Sequence, residues 1–238
     1  MTGTSQTLSG PRRAVVLMSG GLDSCVTTAI AGSDHQLFGL HANYGQRTEQ
    51  QELEAFEAQA DYFAIEGRLI VDLGYLGAIG GSSLTDSEIA IPEGDLENRN
   101  IPNTYVPFRN AHFLSVAVSW AEVIGAAKIF IGAVAEDSSG YPDCRPEYYD
   151  AMNALIDIGT RPTTTIEVVA PLIRMRKSEI ISKGFELGAP LDKTWSCYGH
   201  EGAACGTCDS CMLRLRAFHE ADIADPIPYE AKPQFAGV

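Results

Sequence analysis

A short apolar run that leads directly into a glycine-rich loop is the feature that most constrains the fold of this chain. Residues Arg13–Met18 (RAVVLM) are mostly apolar and β-branched, which is typical of a buried parallel strand. The run ends at the loop Ser19–Ser24 (SGGLDS), after which Ser24–Ala31 is predicted as a helix and Gln36–Ala42 as a second strand. This order predicts a βαβ unit and therefore a parallel sheet.

The same alternation of strands and helices continues along the chain. Further helices are predicted at Thr48–Phe63, Asn110–Ile124, Glu147–Ile158, Lys177–Leu187 and Ser210–Glu220, and further strands at Ile65–Val71, Ala127–Val134 and Ile166–Ala170. Thr48 and Gln51 have the spacing of a capping box, and Gly188 is a predicted helix C-cap. We therefore expect an α/β fold: a doubly wound, mostly parallel five-stranded sheet that is Rossmann-like.

Changes in composition suggest where the chain divides. Residues Gly74–Thr104 are glycine-rich and polar with little periodicity, which is typical of a binding loop or lid. From Thr194 onward the chain is rich in cysteine and glycine. The predicted organisation is a disordered lead-in (1–11), an α/β domain (12–193), a small metal-binding appendage (194–225) and a tail (226–238).

Composition excludes several classes of protein. Every stretch longer than 13 residues contains a charged side chain, whereas a membrane-spanning helix needs about 18 or more apolar residues. The first eleven residues lack an apolar run of signal-peptide length, so we expect a cytoplasmic protein. The formal net charge of −14 would repel a phosphate backbone, which favours a small substrate and argues against nucleic acid as a partner.

The glycine-rich loop predicts an anion site. Backbone N–H groups at a helix N-terminus bind phosphates, and ligands of doubly wound sheets lie beyond the carboxyl ends of the strands. The chain contains neither a Gly-Lys dipeptide nor two glycines separated by one residue. Both the Walker A loop and the dinucleotide-binding fingerprint are therefore excluded.

The loop Ser19–Ser24 resembles the signature of the PP-loop ATP pyrophosphatases, which cleave ATP between its α- and β-phosphates. Other segments extend the resemblance in the same order: YGQR at 44–47, IPNTYVP at 101–107, RN at 109–110, SGYPDCR at 139–145 and CGTCDSC at 205–211. From about Arg13 to Phe218 the chain resembles the 7-cyano-7-deazaguanine synthase family of queuosine precursor biosynthesis.

This resemblance implies an ATP-dependent carbon–nitrogen ligase. The family converts 7-carboxy-7-deazaguanine, ammonia and ATP to the nitrile, releasing AMP and pyrophosphate, and the resemblance also implies a homodimer. It assigns catalytic roles to Asp23, which would help hold Mg²⁺ with ATP, and to Lys177 and Arg109, with Arg174 as a further candidate cation. The residues implied in ATP binding are Met18, Ser19, Gly20, Gly21, Leu22, Asp23, Ser24, Cys25, Val26, Thr27 and Thr28.

The resemblance also implies a substrate pocket. Its implied members are Tyr44, Gln46, Arg47, Arg109, Asn110, Glu136, Asp137, Tyr141 and Asp143. The three carboxylates are candidates to accept hydrogen bonds from the guanine-like edge, although Asp, Ser, Gly and Pro are also ordinary loop residues. Phe108 and Ser138 depart from the commonest family form.

Four cysteines form a second constellation with the spacing Cys197-x7-Cys205-x2-Cys208-x2-Cys211. Four thiolates suit a closed, tetrahedral and structural Zn²⁺ site. An iron–sulfur cluster is the main alternative, but a ferredoxin motif needs a further Cys at the position of Arg214. Disulfide bonds are a weaker alternative. His200 is a lower-ranked alternative ligand to Cys197. Cys25 and Cys144 are predicted to be pocket-wall or buried thiols.

Two other functions compete with the ligase. A PP-loop tRNA-modifying enzyme, of the thiolase or lysidine synthetase type, would need a basic RNA-binding face, which the net charge disfavours. A non-catalytic ATP-binding sensor with a zinc clip differs from the ligase only by its lack of turnover.

Overall fold

The computed structural model describes residues 12–91, 100–135, 140–200 and 202–232. Its centre is a five-stranded parallel sheet with the strand order β3-β2-β1-β4-β5. The strands are β1 (Arg13–Leu17), β2 (Gln36–Asn43), β3 (Gly67–Asp72), β4 (Lys128–Phe130) and β5 (Glu167–Val169). The predicted five-stranded parallel sheet is confirmed.

Helices cover both faces of the sheet. They are α1 (Leu22–Gly32), α2 (Glu49–Tyr62), α3 (Tyr75–Ile79), α4 (Arg109–Ile124), α5 (Pro146–Gly159), α6 (Lys177–Glu186) and α7 (Asp209–Glu220). Each predicted helix is present within two residues of its expected ends, and the five-residue α3 is additional.

The central strand β1 explains why the layers form. Val15 is fully buried on one face of β1, in a cluster with Leu114 of α4. Val16 is fully buried on the other face, in a cluster with Phe56 of α2. Burying an aliphatic or aromatic side chain contributes about 1.5–3 kcal/mol, so a strand that is apolar on both faces requires a helix layer on each side.

The strand order places a topological switch point between β1 and β4. The chain moves from β1 outward to β2 and β3, and then returns to the opposite side of β1 at β4. Two neighbouring strands thus connect to helices on opposite faces, which opens a crevice at their carboxyl ends.

Three local predictions need correction. The capping box at Thr48 is wrong, because its hydroxyl donates to the side chain of Glu52 and makes no cap hydrogen bond. Strand β4 is shorter than Ala127–Val134, because the chain leaves the ladder after Phe130. The long loop is partly packed: it contains α3, and Ser82 and Ser83 are fully buried. By contrast, Gly188 follows α6 with φ +66°, as the predicted helix terminator requires.

The C-terminal segment packs against the sheet domain through α7. Ala217 and Phe218 are buried in one cluster with Ile180 and Ile181 of α6. Beyond α7, Ile227 is buried against the cysteine-bearing loop, and a parallel bridge joins Ala204 to Tyr229. The first part of the predicted tail, up to residue 232, therefore contacts the cysteine segment, whereas residues 233–238 and the predicted lead-in 1–11 lie outside the described residues.

Among the described helices, none has the length and apolar character needed to cross a membrane.

Candidate active site

A cavity of about 320 Å³ opens at the switch point. Its walls include Met18 at the end of β1 and the residues that follow β4, together with side chains from α1, α2, α4 and α7. Within the described part of the chain, the basic residues of its lining are Arg47, Arg109, Lys177 and Arg214, and the acidic ones are Asp23 and Glu52. A chain with a strongly negative net charge thus presents a locally basic cavity, which favours anionic ligands.

The glycine-rich loop is fixed by close packing. Gly20 has φ +83°, and a Cβ on it would lie 2.4 Å from the carbonyl oxygen of Glu52 in α2. Only glycine fits this conformation and this contact. The hydroxyl oxygens of Ser19 and Ser24 lie 3.2 Å apart, and Ser24 also donates to the carbonyl of Gly21 at 2.9 Å. The loop is therefore held in one shape at the N-terminus of α1, where backbone N–H groups point outward.

A second glycine allows the sheet to approach this helix end. A Cβ on Gly132, which follows β4, would lie 2.8 Å from the backbone carbon of Asp23 and from the backbone nitrogen of Ser24. Any larger residue would push the start of α1 away from the strand ends. The sequence prediction missed Gly132, because its role depends on a contact across more than one hundred residues.

Asp23 and Lys177 form an ion pair in the cavity, beside the glycine-rich loop. One oxygen of Asp23, Oδ2, accepts a short hydrogen bond from Lys177 Nζ at the start of α6. The other oxygen, Oδ1, is buried and has no hydrogen-bond partner in the structure. An unpartnered carboxylate oxygen beside a basic side chain suits a site for Mg²⁺ and phosphate, since Mg²⁺ prefers oxygen ligands.

The structure divides the expected ATP-binding residues into two groups. Those that line the cavity are Met18, Ser19, Gly21, Leu22, Asp23 and Ser24; those outside the lining are Gly20, Cys25, Val26, Thr27 and Thr28. The second group supports the loop from behind. Burial raises the pKa of the Cys25 thiol to about 12, which keeps it protonated and unreactive. Arg174, the further candidate cation, is exposed and does not line the cavity.

The opposite end of the cavity is aromatic and carries Arg109. The Arg109 guanidinium donates to the hydroxyl of Tyr44 at 2.9 Å, and it lies over the rings of Tyr44 and Phe113 at 5.1 and 5.6 Å. Its Nε is buried without a hydrogen-bond partner. Arg109 is thus held in place by π contacts and still has a donor available for a ligand.

Gln46 and Arg47 reach the cavity but also support its wall. Gln46 accepts a hydrogen bond from the Tyr44 backbone N–H at 2.8 Å. Arg47 donates to the carbonyls of Asp86 and Ile89 at 2.5 and 2.6 Å, which attaches the loop after α3 to the start of α2. Arg47 therefore has a structural role in the cavity wall, and its role in substrate binding stays a prediction.

The remaining expected substrate residues have different placements. Asn110 and Tyr141 line the cavity, whereas Asp143 does not. The Asp143 carboxylate is buried and accepts the Asn110 backbone N–H at 3.3 Å, and burial raises its pKa. It supports the start of α4. The other two candidate base-reading carboxylates, Glu136 and Asp137, lie outside the described residues.

The four cysteines of the C-terminal segment converge. The sulfur atoms of Cys197, Cys205, Cys208 and Cys211 all lie within 4.8 Å of one another. Those of Cys205 and Cys211 are 3.8 Å apart, which equals the edge of about 3.8 Å of a tetrahedron with metal–sulfur bonds of about 2.3 Å. Backbone N–H groups point at the sulfurs of Cys197 and Cys205 at 3.4 Å, as expected for thiolates. The cluster fits a tetrahedral metal site.

Two other candidate groups are excluded from this cluster. His200 pairs with Glu230 at 3.1 Å, and it is Cys197 rather than His200 that converges with the other three cysteines. Cys144 lines the cavity instead, and burial raises the pKa of its thiol to about 11. As predicted, it has the character of a wall residue.

The cysteine segment is joined to the glycine-rich loop by the backbone. Trp195 N–H donates to the carbonyl of Gly20 at 3.0 Å, and the buried side chain of Gln59 donates to the same carbonyl at 2.7 Å. Arg214 of α7 makes a bidentate pair with Asp225 at 2.8 and 2.9 Å and also donates to Thr194 at 2.6 Å. The sequence prediction missed these links, because none of them belongs to a local motif.

A doubly wound sheet whose first strand enters a glycine-rich anion loop defines the class of the molecule, an α/β nucleotide-binding protein. A family model described as "Queuosine biosynthesis protein QueC" matches residues 13–222. The chain belongs to this family.

Close relatives agree with this assignment. A protein of Chlorobium phaeobacteroides is 61% identical over 224 residues, which cover 94% of this chain and 99% of the relative; one of Chlorobaculum parvum is 59% identical over the same coverage. Both are named 7-cyano-7-deazaguanine synthase. Among solved structures, an NMN synthetase of Francisella tularensis aligns with a TM-score of 0.45 at 14% identity, covering 91% of this chain and 79% of its own.

Proposed function

We propose that this chain is an ATP-dependent ligase that converts 7-carboxy-7-deazaguanine and ammonia to 7-cyano-7-deazaguanine. The observation that carries the proposal is a single cavity that joins the Asp23–Lys177 pair at the glycine-rich loop to the aromatic end at Arg109. One end suits the phosphates of ATP, and the other suits a planar anionic substrate. Family membership and the names of its close relatives support the proposed reaction.

The phosphate end would act by positioning and charge neutralisation. The N-terminus of α1 and the Ser19 and Ser24 hydroxyls would hold the departing pyrophosphate, and Lys177 would neutralise charge as the α- and β-phosphates separate. Asp23 would hold Mg²⁺ through its unpartnered oxygen, since its other oxygen is paired with Lys177. Mg²⁺ bound there with ATP would further reduce the phosphate charge.

The chemistry requires two activations of the same carbon. A carboxylate becomes electrophilic only when one oxygen becomes a leaving group, so the substrate carboxylate attacks the α-phosphate and pyrophosphate departs. Ammonia then displaces AMP to give the amide. A second adenylation, on the amide oxygen, allows loss of AMP with formation of the nitrile. Each nitrile therefore requires two molecules of ATP, and free ammonia is the nitrogen source.

The aromatic end would orient the deazaguanine. Tyr44 and Phe113 offer ring surfaces for a planar base, and Tyr141 and Asn110 offer polar groups at its edge. The Arg109 guanidinium, with its unpartnered Nε, would bind the substrate carboxylate before it is adenylated.

We also propose that the cysteine cluster holds one structural Zn²⁺. Four sulfur ligands leave no open coordination position, so the ion would stabilise the segment that contacts the glycine-rich loop rather than act on substrate. The homodimer implied by the family resemblance is a further proposal, which light scattering of the purified protein tests.

Product analysis tests the proposed reaction. The protein is incubated with ATP, ammonium and 7-carboxy-7-deazaguanine, and the products are identified by mass spectrometry and nucleotide chromatography. We expect the nitrile together with AMP and pyrophosphate, at two AMP per nitrile, and none of these with Lys177→Ala. ADP and orthophosphate as the nucleotide products, or ATP binding without turnover, would contradict the proposal.

A further inference from the structure

Glu52 is a carboxylate in the cavity to which neither the fold nor the family motif discussed above assigns a role. It lies in the first turn of α2, and its side chain lines the same cavity as Asp23 and Lys177. Its backbone carbonyl forms the contact that requires glycine at position 20. Glu52 therefore lies beside the glycine-rich loop, in the same cavity lining as Arg109.

Two neutral donors fix the orientation of this carboxylate. Thr48 donates to Oε1 at 2.9 Å, and the Gln46 amide donates to Oε2 at 3.1 Å. Gln46 is itself held by the Tyr44 backbone N–H. The other carboxylate of the described cavity lining, Asp23, is paired with Lys177. In the described lining, Glu52 is thus the carboxylate that makes no ion pair and remains available for proton transfer.

The charged surroundings of Glu52 balance one another. Burial is the main cause that raises the pKa of its carboxyl, with a smaller contribution from Glu49, whereas the hydrogen bonds from Thr48 and Gln46 and the charge of Arg109 lower it; the net pKa is about 7. The hydroxyl of Tyr44, which faces the same region, is held by Arg109. A carboxyl with a pKa near neutrality can both accept and release a proton under working conditions.

The amide-forming step needs such a group. At neutral pH most ammonia is present as ammonium, which has no lone pair and cannot attack the acyl adenylate. One proton must leave ammonium before the C–N bond forms, so this step is favoured by a proton acceptor in the wall of the cavity.

Building on the proposed function, we propose that Glu52 is the general base that deprotonates ammonium in the amide-forming step. Ammonium transfers one proton to the Glu52 carboxylate, and the nitrogen lone pair forms the C–N bond with the acyl carbon. The C–O bond to AMP breaks, its electron pair leaves with the AMP phosphate, and the nitrogen releases its second surplus proton to solvent. Glu52 then returns its proton to water, which completes the cycle.

The variant Glu52→Gln separates this role from adenylation. Adenylation is measured as exchange of labelled pyrophosphate into ATP with 7-carboxy-7-deazaguanine but without ammonium. Amide formation is measured in single turnover with ammonium, and in parallel with hydroxylamine, which is largely neutral at pH 7 and needs no base before it attacks. Glu54→Gln is the matched control, because Glu54 lies on the same helix but is exposed.

We expect Glu52→Gln to keep pyrophosphate exchange and hydroxamate formation near the wild-type rates and to slow amide formation from ammonium by about 100-fold or more, as for loss of a general base. Glu52→Asp, which retracts the carboxylate, should show the same selective loss to a smaller extent. Glu54→Gln should match the wild type in all three assays.

Other outcomes would overturn the proposal. Equal losses with ammonium and hydroxylamine together with a raised KM for the deazaguanine would mean that Glu52 binds the base. Loss of pyrophosphate exchange would mean that Glu52 supports the glycine-rich loop. An unchanged rate of amide formation from ammonium would mean that Glu52 has no role in this step. If the wild-type protein itself shows neither exchange nor amide, the proposed function fails instead, independently of Glu52.

Discussion

The glycine-rich loop and the cysteine segment meet at Gly20, yet they are stabilised by different forces. The loop follows a central strand, β1, which is embedded in apolar clusters on both faces of the sheet, and precedes a helix, α1, which is buried in apolar clusters on one face. The segment after residue 193 has one long helix and relies on converging thiols and on the buried pair of Arg214 with Asp225. Hydrophobic burial dominates in the first region, whereas the second combines the apolar packing of α7 with a few specific polar contacts.

This difference predicts different consequences of mutation. Where burial shapes the backbone, a functional side chain can change without loss of the fold, because the loop remains supported from behind. Where a few polar contacts shape the backbone, removal of one of them leaves buried charges or thiols without partners. We therefore expect changes in the loop to affect turnover and changes in the segment to affect stability first.

Removal of the metal should have the largest effect. Structural zinc sites contribute about 10 kcal/mol or more of apparent binding free energy at neutral pH, which exceeds what a segment with so small an apolar cluster can replace. Purified protein should contain about one zinc per chain, and Cys208→Ser should lose the zinc and lower the melting temperature. Cys144→Ser, which changes a thiol outside the cluster, should keep its metal. Stoichiometric iron with sulfide would instead show a different metal centre.

Loss of the buried ion pair should be the next largest effect. Arg214 and Asp225 are 2% and 3% exposed, so Asp225→Asn would leave the guanidinium buried without a counter-charge. We expect a loss of about 3–5 kcal/mol in the free energy of unfolding, measured by denaturant titration. The control Glu186→Gln removes an exposed pair with Lys183 and should change stability by less than about 0.5 kcal/mol. If both variants changed the free energy of unfolding by a similar small amount, the pair of Arg214 with Asp225 would not be a main source of stability.

Asp23→Asn should affect catalysis rather than stability. The amide keeps the shape of the side chain but removes the charge that pairs with Lys177, so turnover should fall about 100- to 1000-fold, equivalent to about 3–4 kcal/mol. Steady-state release of AMP measures the loss, and a thermal melt should stay close to that of the wild type. Asp61→Asn, an exposed partner of Arg68, is the control and should keep full activity. A melting temperature that falls together with activity would contradict the comparison.

Gly20→Ala should affect both stability and turnover. Its positive φ alone costs about 1–2 kcal/mol for alanine, and the methyl group would also meet the Glu52 carbonyl at 2.4 Å. Gly125→Ala is the matched control, because φ there is +69° but nothing lies within 4 Å of the added methyl. Thermal melts and turnover of the two variants isolate the steric contribution. Equal stabilities would mean that the loop is less tightly packed than we describe.

The parts of the fold that were predictable from sequence are those that depend on local pattern. The strand β1 ends within one residue of its prediction, because a strand buried on both faces must be apolar along its whole length. Helix α3 was missed, since Gly74 and Gly77 make the segment resemble a loop. The capping box at Thr48 was wrong for another reason: a competing acceptor, Glu52, lies one turn along the helix.

The residues of the candidate site that were predictable from sequence also belong to local patterns. The glycine-rich loop and the four cysteines are each a short motif of residues close together in the chain, so the sequence shows them directly. The positions of Glu52 and Gly132 in the cavity result from packing between elements that are distant in the chain. Asp143 shows the converse case, because it belongs to a recognisable motif but does not line the cavity and accepts a hydrogen bond from the backbone at the start of α4.

The carbonyl of Gly20 also bears on how the molecule can be divided. It accepts hydrogen bonds from Gln59 of the sheet domain and from Trp195 of the cysteine segment. Both regions therefore help to fix the glycine-rich loop. A protein shortened to residues 12–193 would keep the whole sheet but lose one of these two donors. The boundary suggested by composition is therefore a poor place to cut. Any minimal nucleotide-binding fragment of this chain would have to extend at least through Trp195, and through Asp225 if Arg214 is to remain neutralised.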